Sequence, residues 1–114
     1  MNKNGDNLVT TYSENDIYCG LAQKEFYEEK TFRNFDYYAT FTDKQYDSLI
    51  VLLRYLTARY KILRNFQEED TRYVTSEVSA LFKGMATHVN YRASGKTDIG
   101  PAFDWDRVIK GVKA

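Results

Sequence analysis

The most regular pattern of apolar and polar positions lies over residues 42–60. It opens with Thr42 followed three positions later by Gln45, a capping box in which each side chain can bond a backbone N–H of the first helical turn. Asp43 near the start and Arg59 near the end suit the helix dipole. Apolar residues follow at the 3.6-residue spacing of one buried face: Tyr46, Leu49, Ile50, Leu53, Leu56 and Tyr60. The pattern predicts an α-helix over 42–60.

Shorter elements are predicted after this helix. The charged stretch 64–72 is typical of a loop, and 76–82 predicts a short helix that Gly84 would end. Residues 85–89 are mostly apolar and partly β-branched, which predicts a buried strand with His88 near its C-terminal end.

A loop and a last helix are predicted at the C-terminal side. The stretch 94–101 contains two glycines and the only proline, which indicates a loop of fixed shape. Asp104 is a suitable cap for a helix running from about 105 to 112.

The N-terminal third shows no sustained period. Residues 1–8 are polar and predict a loose segment, while 9–40 carry scattered aromatic residues and predict long loops or an insertion. Within that stretch, 23–30 could form a short helix.

Composition bounds the class of protein. The 114 residues suit one domain, with 43% hydrophobic and 28% charged residues, as in a folded soluble protein. Lys plus Arg and Asp plus Glu both number 16, and zero net charge argues against binding to duplex nucleic acid. No run has the apolar length of a membrane span, and the polar N-terminus has no signal-peptide core. Taken alone, the chain would stay in the cytoplasm.

Aromatic and thiol side chains add two expectations. Ten tyrosines suit partly buried positions and carbohydrate-facing grooves, and filling a small core with its rim explains most of them. The only cysteine, Cys19, excludes an internal disulfide and is expected to be a partly buried structural thiol.

Candidate chemistry lies in His88, Lys96 and Asp98. An imidazole and a carboxylate are natural ligands of a divalent metal such as zinc, and the glycine-bearing loop could fold Asp98 back onto His88. In an extended stretch Lys96 and Asp98 point the same way, so Lys96 could offer its charge to a developing oxyanion. Residue types alone leave both a metal site and an ordinary solvated loop open.

The wider spacing around these residues resembles a known family. Lys96 and Asp98 follow His88 by eight and ten positions, and then come Ile-Gly-Pro at 99–101 and an aromatic-Asp-Trp-Asp-Arg helix start at 103–107. This is similar to the C-terminal signature of the zinc-dependent N-acetylmuramoyl-L-alanine amidases, which are related to bacteriophage lysozyme-type amidases and to peptidoglycan recognition proteins. The match runs from about 41 to 108. Within it, 84–87 resembles the strand that delivers the family's second zinc histidine, and the 42–60 helix resembles the helix behind the sheet.

The resemblance implies an α/β fold, namely a partial amidase-like mixed sheet flanked by helices and lacking the family's N-terminal strands. Residues 1–40 would be an irregular N-terminal segment or insertion, and 41–114 the C-terminal part of an amidase-like domain. It implies that His88 and Asp98 are Zn²⁺ ligands and that Lys96 stabilises the tetrahedral oxyanion. The implied reaction is zinc-dependent hydrolysis of the amide between N-acetylmuramic acid and L-alanine in peptidoglycan or muropeptides.

The sequence departs from the family in two respects. The family uses two His and one Asp as ligands and a Glu to orient the water, but His88 is the only histidine here. Glu25, Glu28 and Glu29 lie in the irregular segment, and none is assigned as the base. We therefore expect a fragment of a larger amidase, a piece of a split gene or a degenerate relative.

Such a chain would hydrolyse little by itself and would need a complementary chain or an N-terminal half. A longer precursor would work in the cell envelope or periplasm, or be secreted. Two other functions stay open: a non-catalytic peptidoglycan- or muropeptide-binding module with a tyrosine-rich groove and no zinc, and an interaction or structural domain in which the His–Lys–Asp spacing is inherited but idle.

Overall fold

The computed structural model describes residues 1–75 and 82–114 and contains both strands and helices, as expected for the α/β class at a coarse level. The chain forms two compact units. The first comprises residues 1–41 with 100–103, and the second comprises 42–99 with 104–114. The short helix predicted over 76–82 falls mainly on residues 76–81, which lie outside the described residues.

The first unit contains two antiparallel sheets. The strands β1 (Asn2–Asn4), β2 (Asn7–Val9) and β3 (Ile17–Gly20) form one sheet in that order. The strands β4 (Tyr27–Phe32) and β5 (Phe35–Ala39) form a hairpin. The expectation of a mixed sheet is therefore wrong for the described part of the chain, because every ladder between these strands is antiparallel.

The predictions of a loose 1–8 and an irregular 9–40 are also wrong. These strands are only three to six residues long, too short for a clear alternation, and they form through pairing with neighbours. The β4–β5 turn is made by Arg33 and Asn34, both with positive φ (47° and 73°), as a two-residue hairpin turn requires. Instead of a helix over 23–30, a 3₁₀ turn at Lys24–Phe26 leads directly into β4.

Tyrosines of this unit place their rings partly inside and their hydroxyls on backbone carbonyls. Tyr18 donates to the Phe26 carbonyl at 2.9 Å and Tyr27 to the Leu21 carbonyl at 2.6 Å, and Tyr38 donates to the carbonyl of Phe32. Desolvation by burial raises the pKa of these three phenols, so each stays protonated and can donate. These three tyrosines therefore serve the fold.

The core of the first unit is small. Leu8, Val9 and Cys19 are buried on β2 and β3, and Phe103 meets Phe41 edge-to-face at 5.4 Å between ring centroids. Burial raises the pKa of the Cys19 thiol, with the charge of Glu25 as a smaller cause. The expectation of a buried structural thiol is confirmed.

The second unit contains the three helices α1 (Asp43–Arg59), α2 (His88–Tyr91) and α3 (Trp105–Lys113). The capping box of α1 is confirmed, because Gln45 N donates to Thr42 Oγ1 at 3.1 Å and Thr42 N donates to Gln45 Oε1 at 2.8 Å. The cap of α3 is confirmed too: Arg107 N donates to Asp104 Oδ1 at 3.1 Å. Both long helices thus begin where local chemistry predicts.

Helices α1 and α3 pack closely. Val108 and Val112 are fully buried, and a Cβ on Gly111 would lie 2.6 Å from Ile50 Cδ1, so only glycine permits this approach. The predicted buried face of α1 is only partly covered, since Tyr46 is buried and Tyr60 is exposed. No helix of the described residues is long and apolar enough to cross a membrane.

The predicted strand over 85–89 is wrong. Only Met85 pairs, in an isolated parallel bridge with Phe66, and the chain then turns into α2. The cause lies in Thr87 and Asn90: Asn90 Oδ1 accepts from Thr87 N at 3.0 Å, which starts a helical turn where an extended strand was expected.

Candidate functional site

A buried asparagine fixes the helical turn that carries His88. Asn90 is 1% exposed, and its Nδ2 lies 3.1 Å from each of the carbonyl oxygens of Thr71, Arg72 and Val74, to which it donates. Together with the bond from Thr87 N, this satisfies both ends of the side-chain amide. His88, at the first position of α2, therefore stands on a well-anchored turn.

Asp98 reaches this turn from the loop that follows it. The backbone carbonyl of Asp98 accepts from Val89 N at 3.3 Å, which holds the loop against α2. Gly95 and Gly100 adopt positive φ (81° and 84°) on either side of Asp98, a conformation that side chains disfavour. The expected loop over 94–101 is present, with two glycines at positive φ, and its fixed shape stays a prediction.

The side chains of His88 and Asp98 meet directly. His88 Nδ1 lies 2.5 Å from Asp98 Oδ2, and both side chains are 59% exposed. The predicted approach of these two groups is confirmed. A hydrogen bond through Nδ1 leaves Nε2 as the second nitrogen of the ring, so the pair can offer both an imidazole and a carboxylate to solvent.

The pair opens into a shallow groove of about 430 Å³. Thr87 and Ile99 contribute to its walls, and the ring of Tyr91 stands at its edge, 55% exposed. Tyr91 is a residue of this groove that sequence reasoning missed. The Thr-x-x-Asn capping pattern at 87–90 is the signal that could have placed it, because position 91 then faces the same side as position 88.

Lys96 is exposed in the same loop, two residues before Asp98, and is not among the residues that line the groove. Its role toward an oxyanion stays a prediction. Two further residues of the resembling stretch serve the fold: Asp104 caps α3, and the Trp105 ring meets Phe66 at 6.2 Å and lies 5.9 Å from the Arg72 guanidinium.

His88 and Asp98 have donor types that suit zinc, but two ligands do not complete a zinc site. Imidazole nitrogen and carboxylate oxygen are both ordinary zinc donors, with bonds of about 2.0–2.2 Å, so two ligands of a tetrahedral ion stand roughly 3.3 Å apart. His88 and Asp98 would separate slightly from their 2.5 Å contact to admit one. Within residues 1–75 and 82–114, no group of three His, Cys, Asp or Glu side chains is placed to hold a metal ion.

No family model, no curated protein and no solved structure matches the chain.

Proposed function

We propose that this chain carries part of the active site of a zinc-dependent N-acetylmuramoyl-L-alanine amidase acting on peptidoglycan or muropeptides. The observation that carries the proposal is the contact of His88 and Asp98 at 2.5 Å, between two residues that the resemblance assigns independently as ligands. The two lie ten positions apart, and both are open to a groove.

In this proposal His88 and Asp98 hold the metal, and the anchored turn of α2 fixes the direction of the imidazole. Zinc at such a site would polarise the amide carbonyl and supply a hydroxide near neutral pH. Lys96 would donate to the oxyanion that forms on the carbonyl oxygen. Tyr91 would contact the substrate beside the scissile amide, because its ring borders the same groove.

A zinc titration tests the ligand pair, and the chain offers a sharp probe for it. His88 is the only histidine, so the imidazole signals in a proton NMR spectrum of the untagged chain belong to one residue. We expect zinc to shift these signals. We expect His88→Ala and Asp98→Ala each to weaken zinc binding by at least about 100-fold, since losing a group that merely supports a ligand already costs roughly 10–100-fold.

Asp43→Asn is the matched control, because Asp43 is an exposed carboxylate in an ion pair of the same unit and lies outside the groove. Zinc affinity that is equal in the parent chain, His88→Ala and Asp43→Asn would overturn the ligand assignment. Zinc-dependent hydrolysis of a muramyl-peptide by this chain alone would contradict the need for a further ligand and base from outside it. Muropeptide binding that persists without zinc and in His88→Ala would favour the non-catalytic module instead.

A further inference from the structure

One side of α1 carries large apolar side chains that are exposed. Val51 is 67% exposed, Leu52 50% and Tyr55 59%. Together with Asp47 and Ser48 they line a shallow depression of about 500 Å³, and these five residues are called here the exposed face of α1. Residues three and four positions apart are neighbours on a helix, so the three apolar side chains form one continuous patch. An apolar patch with polar residues at its rim is typical of a surface that binds another protein.

The packing of α1 against α3 uses a different side of the helix. Tyr46 and Thr57 are the buried residues of α1, and Ile50 lies against Gly111 of α3. At 3.6 residues per turn, Tyr46 and Thr57 lie on the side of the helix away from Tyr55. The exposed face is therefore additional to the apolar surface that holds these two helices together.

The order of residues along the exposed face fits a second copy of the same helix. Asp47, Val51, Tyr55 and Arg59 follow one another at a spacing of four, which places them on a single ridge of α1. The ridge reads acid, apolar, apolar, base. When two such ridges lie antiparallel, Asp47 of each copy faces Arg59 of the other, and Val51 faces Tyr55 in the middle. Opposite charges that meet at both ends fix both the direction and the register of the pair.

Both charged ends of the ridge lie at the surface. Asp47 Oδ1 lies 3.6 Å from the Arg107 guanidinium, but the Asp47 side chain is 73% exposed, so its carboxylate remains accessible to a second cation. Arg59 is exposed at the last turn of α1, with its guanidinium 5.2 Å from the centre of the Tyr60 ring. The two ends can therefore form ion pairs with a second copy without a change in the fold.

The remaining residues of this side of α1 suit the same arrangement. Ser48 and Ala58 are small, and in the antiparallel register each lies near the other across the pair, which lets the two helices approach closely. Lys44 lies one turn before Ser48 and would reach the C-terminal end of the second helix, whose carbonyl groups favour a cation.

We propose that the chain forms a twofold-symmetric dimer through the exposed face of α1, with the two α1 helices antiparallel. A twofold axis requires a self-complementary surface, because every contact occurs twice. The helix has 17 residues, and its exposed face is smaller than the roughly 20–30 residues that each partner contributes to a standard interface. The dimer is therefore weak, with a dissociation constant of roughly 0.01–1 mM. It does not depend on zinc or on the His88–Asp98 pair.

Sedimentation equilibrium of the full chain over a range of concentrations is the first test. We expect the average mass to rise with concentration toward that of a dimer. Val51→Glu places a charge in the apolar centre of the interface twice per dimer and should abolish the association. Tyr12→Ala, the matched control, removes an exposed aromatic side chain of the first unit and should leave the association unchanged. Because Val51 and Tyr12 are exposed, both variants should keep the circular dichroism spectrum of the parent.

Charge reversal tests the antiparallel register itself. In Asp47→Arg two cations face each other at both ends of the dimer, and in Arg59→Asp two carboxylates do. We expect each variant alone to associate about ten-fold more weakly than the parent. In an equimolar mixture of the two variants every end contact again joins opposite charges, so the mixed dimer should form with nearly the parental affinity. This recovery also shows that neither variant is merely misfolded.

Four outcomes would overturn the proposal. The first is a parent chain whose mass stays that of a monomer up to about 1 mM. The second is parental association by Val51→Glu, and the third is loss of association in Tyr12→Ala, which would place the interface on the first unit. The fourth is a mixture of Asp47→Arg and Arg59→Asp that associates no better than either variant alone.

Discussion

Two pairs of a basic side chain and a carboxylate in the described part of the second unit, Arg107 with Asp43 and His88 with Asp98, differ in their surroundings. The Arg107 guanidinium lies 2.8 Å from Asp43 and 3.6 Å from Asp47, and 4.8 Å from the centre of the Tyr46 ring. The hydrogen bond to Asp43 is the largest cause that raises the pKa of Arg107, so Arg107 carries its charge at neutral pH.

The surroundings of the His88–Asp98 pair are different. Both of its side chains are more than half exposed, and they face a groove instead of another helix. The Arg107 group joins α1 to α3, and its contacts converge on one cation from several sides. The comparison shows that contact distance alone does not tell a structural pair from a candidate site, whereas the number of groups that converge on the basic side chain and the opening to a groove differ between the two pairs.

The largest expected effect concerns Tyr46, under the Arg107 guanidinium. Tyr46 is 6% exposed, and its hydroxyl oxygen accepts from Asp104 N at 2.9 Å, at the start of α3. We expect Tyr46→Ala to lower the free energy of unfolding by about 3–5 kcal/mol, the range for removing a buried aromatic ring. Urea unfolding followed by circular dichroism measures it.

Tyr46→Phe serves as the control for this ring. It loses only the hydroxyl, and we expect it to cost about 1 kcal/mol. Because the folded chain keeps the groove, its zinc affinity should equal that of the parent. An unfolding midpoint of Tyr46→Ala equal to that of the parent would show that the α1–α3 contact is not a structural centre.

A contrast between local and distant contacts explains how far the structure could be predicted from the sequence. The caps of α1 and α3 are set by residues three positions apart, Thr42 with Gln45 and Asp104 with Arg107, and local patterns found both helices. The turn at His88 depends on Asn90, whose partners lie 16 to 19 positions away, and the sequence predicted a strand there. Information held in distant contacts is not visible in a local pattern.

The candidate site was predicted in part for the same reason. The approach of Asp98 to His88 follows from a short loop with glycines, which a sequence displays, and the contact at 2.5 Å confirms it. Tyr91 was missed because its place depends on the helical turn.

A smaller effect is expected at Gly111, where α3 touches α1. A Cβ there would lie 2.6 Å from Ile50 Cδ1 and 3.0 Å from its Cγ1 and Cγ2. We expect Gly111→Ala to lower the free energy of unfolding by about 1 kcal/mol, since overpacking costs roughly 1–3 kcal/mol and the better helix propensity of alanine returns part of it. Lys110→Ala, at an exposed neighbour on the same helix, should be near neutral.

A double-mutant cycle assigns the Gly111 effect to its cause. If Ile50 is the obstacle, Gly111→Ala should cost less in an Ile50→Ala background than in the parent, which gives a coupling energy between the two positions. Strictly additive costs would instead place the strain elsewhere in α3. Zinc affinity should be unchanged in all of these variants, because neither residue lines the groove.

The smallest expected effect on stability comes from neutralising the carboxylate of either pair, Asp43 or Asp98. Asp43 is 88% exposed, so Asp43→Asn removes a solvent-screened ion pair and one acidic residue of the first turn of α1, and should cost less than about 1 kcal/mol. Asp98→Asn keeps the shape of the loop and can still accept from His88, so it should leave the unfolding midpoint within error. The two variants should separate in zinc affinity, which Asp98→Asn lowers and Asp43→Asn does not. If Asp98→Asn instead destabilised the chain more than Asp43→Asn and left zinc affinity unchanged, the His88–Asp98 pair would be the structural one and its opening to a groove would have been the wrong guide.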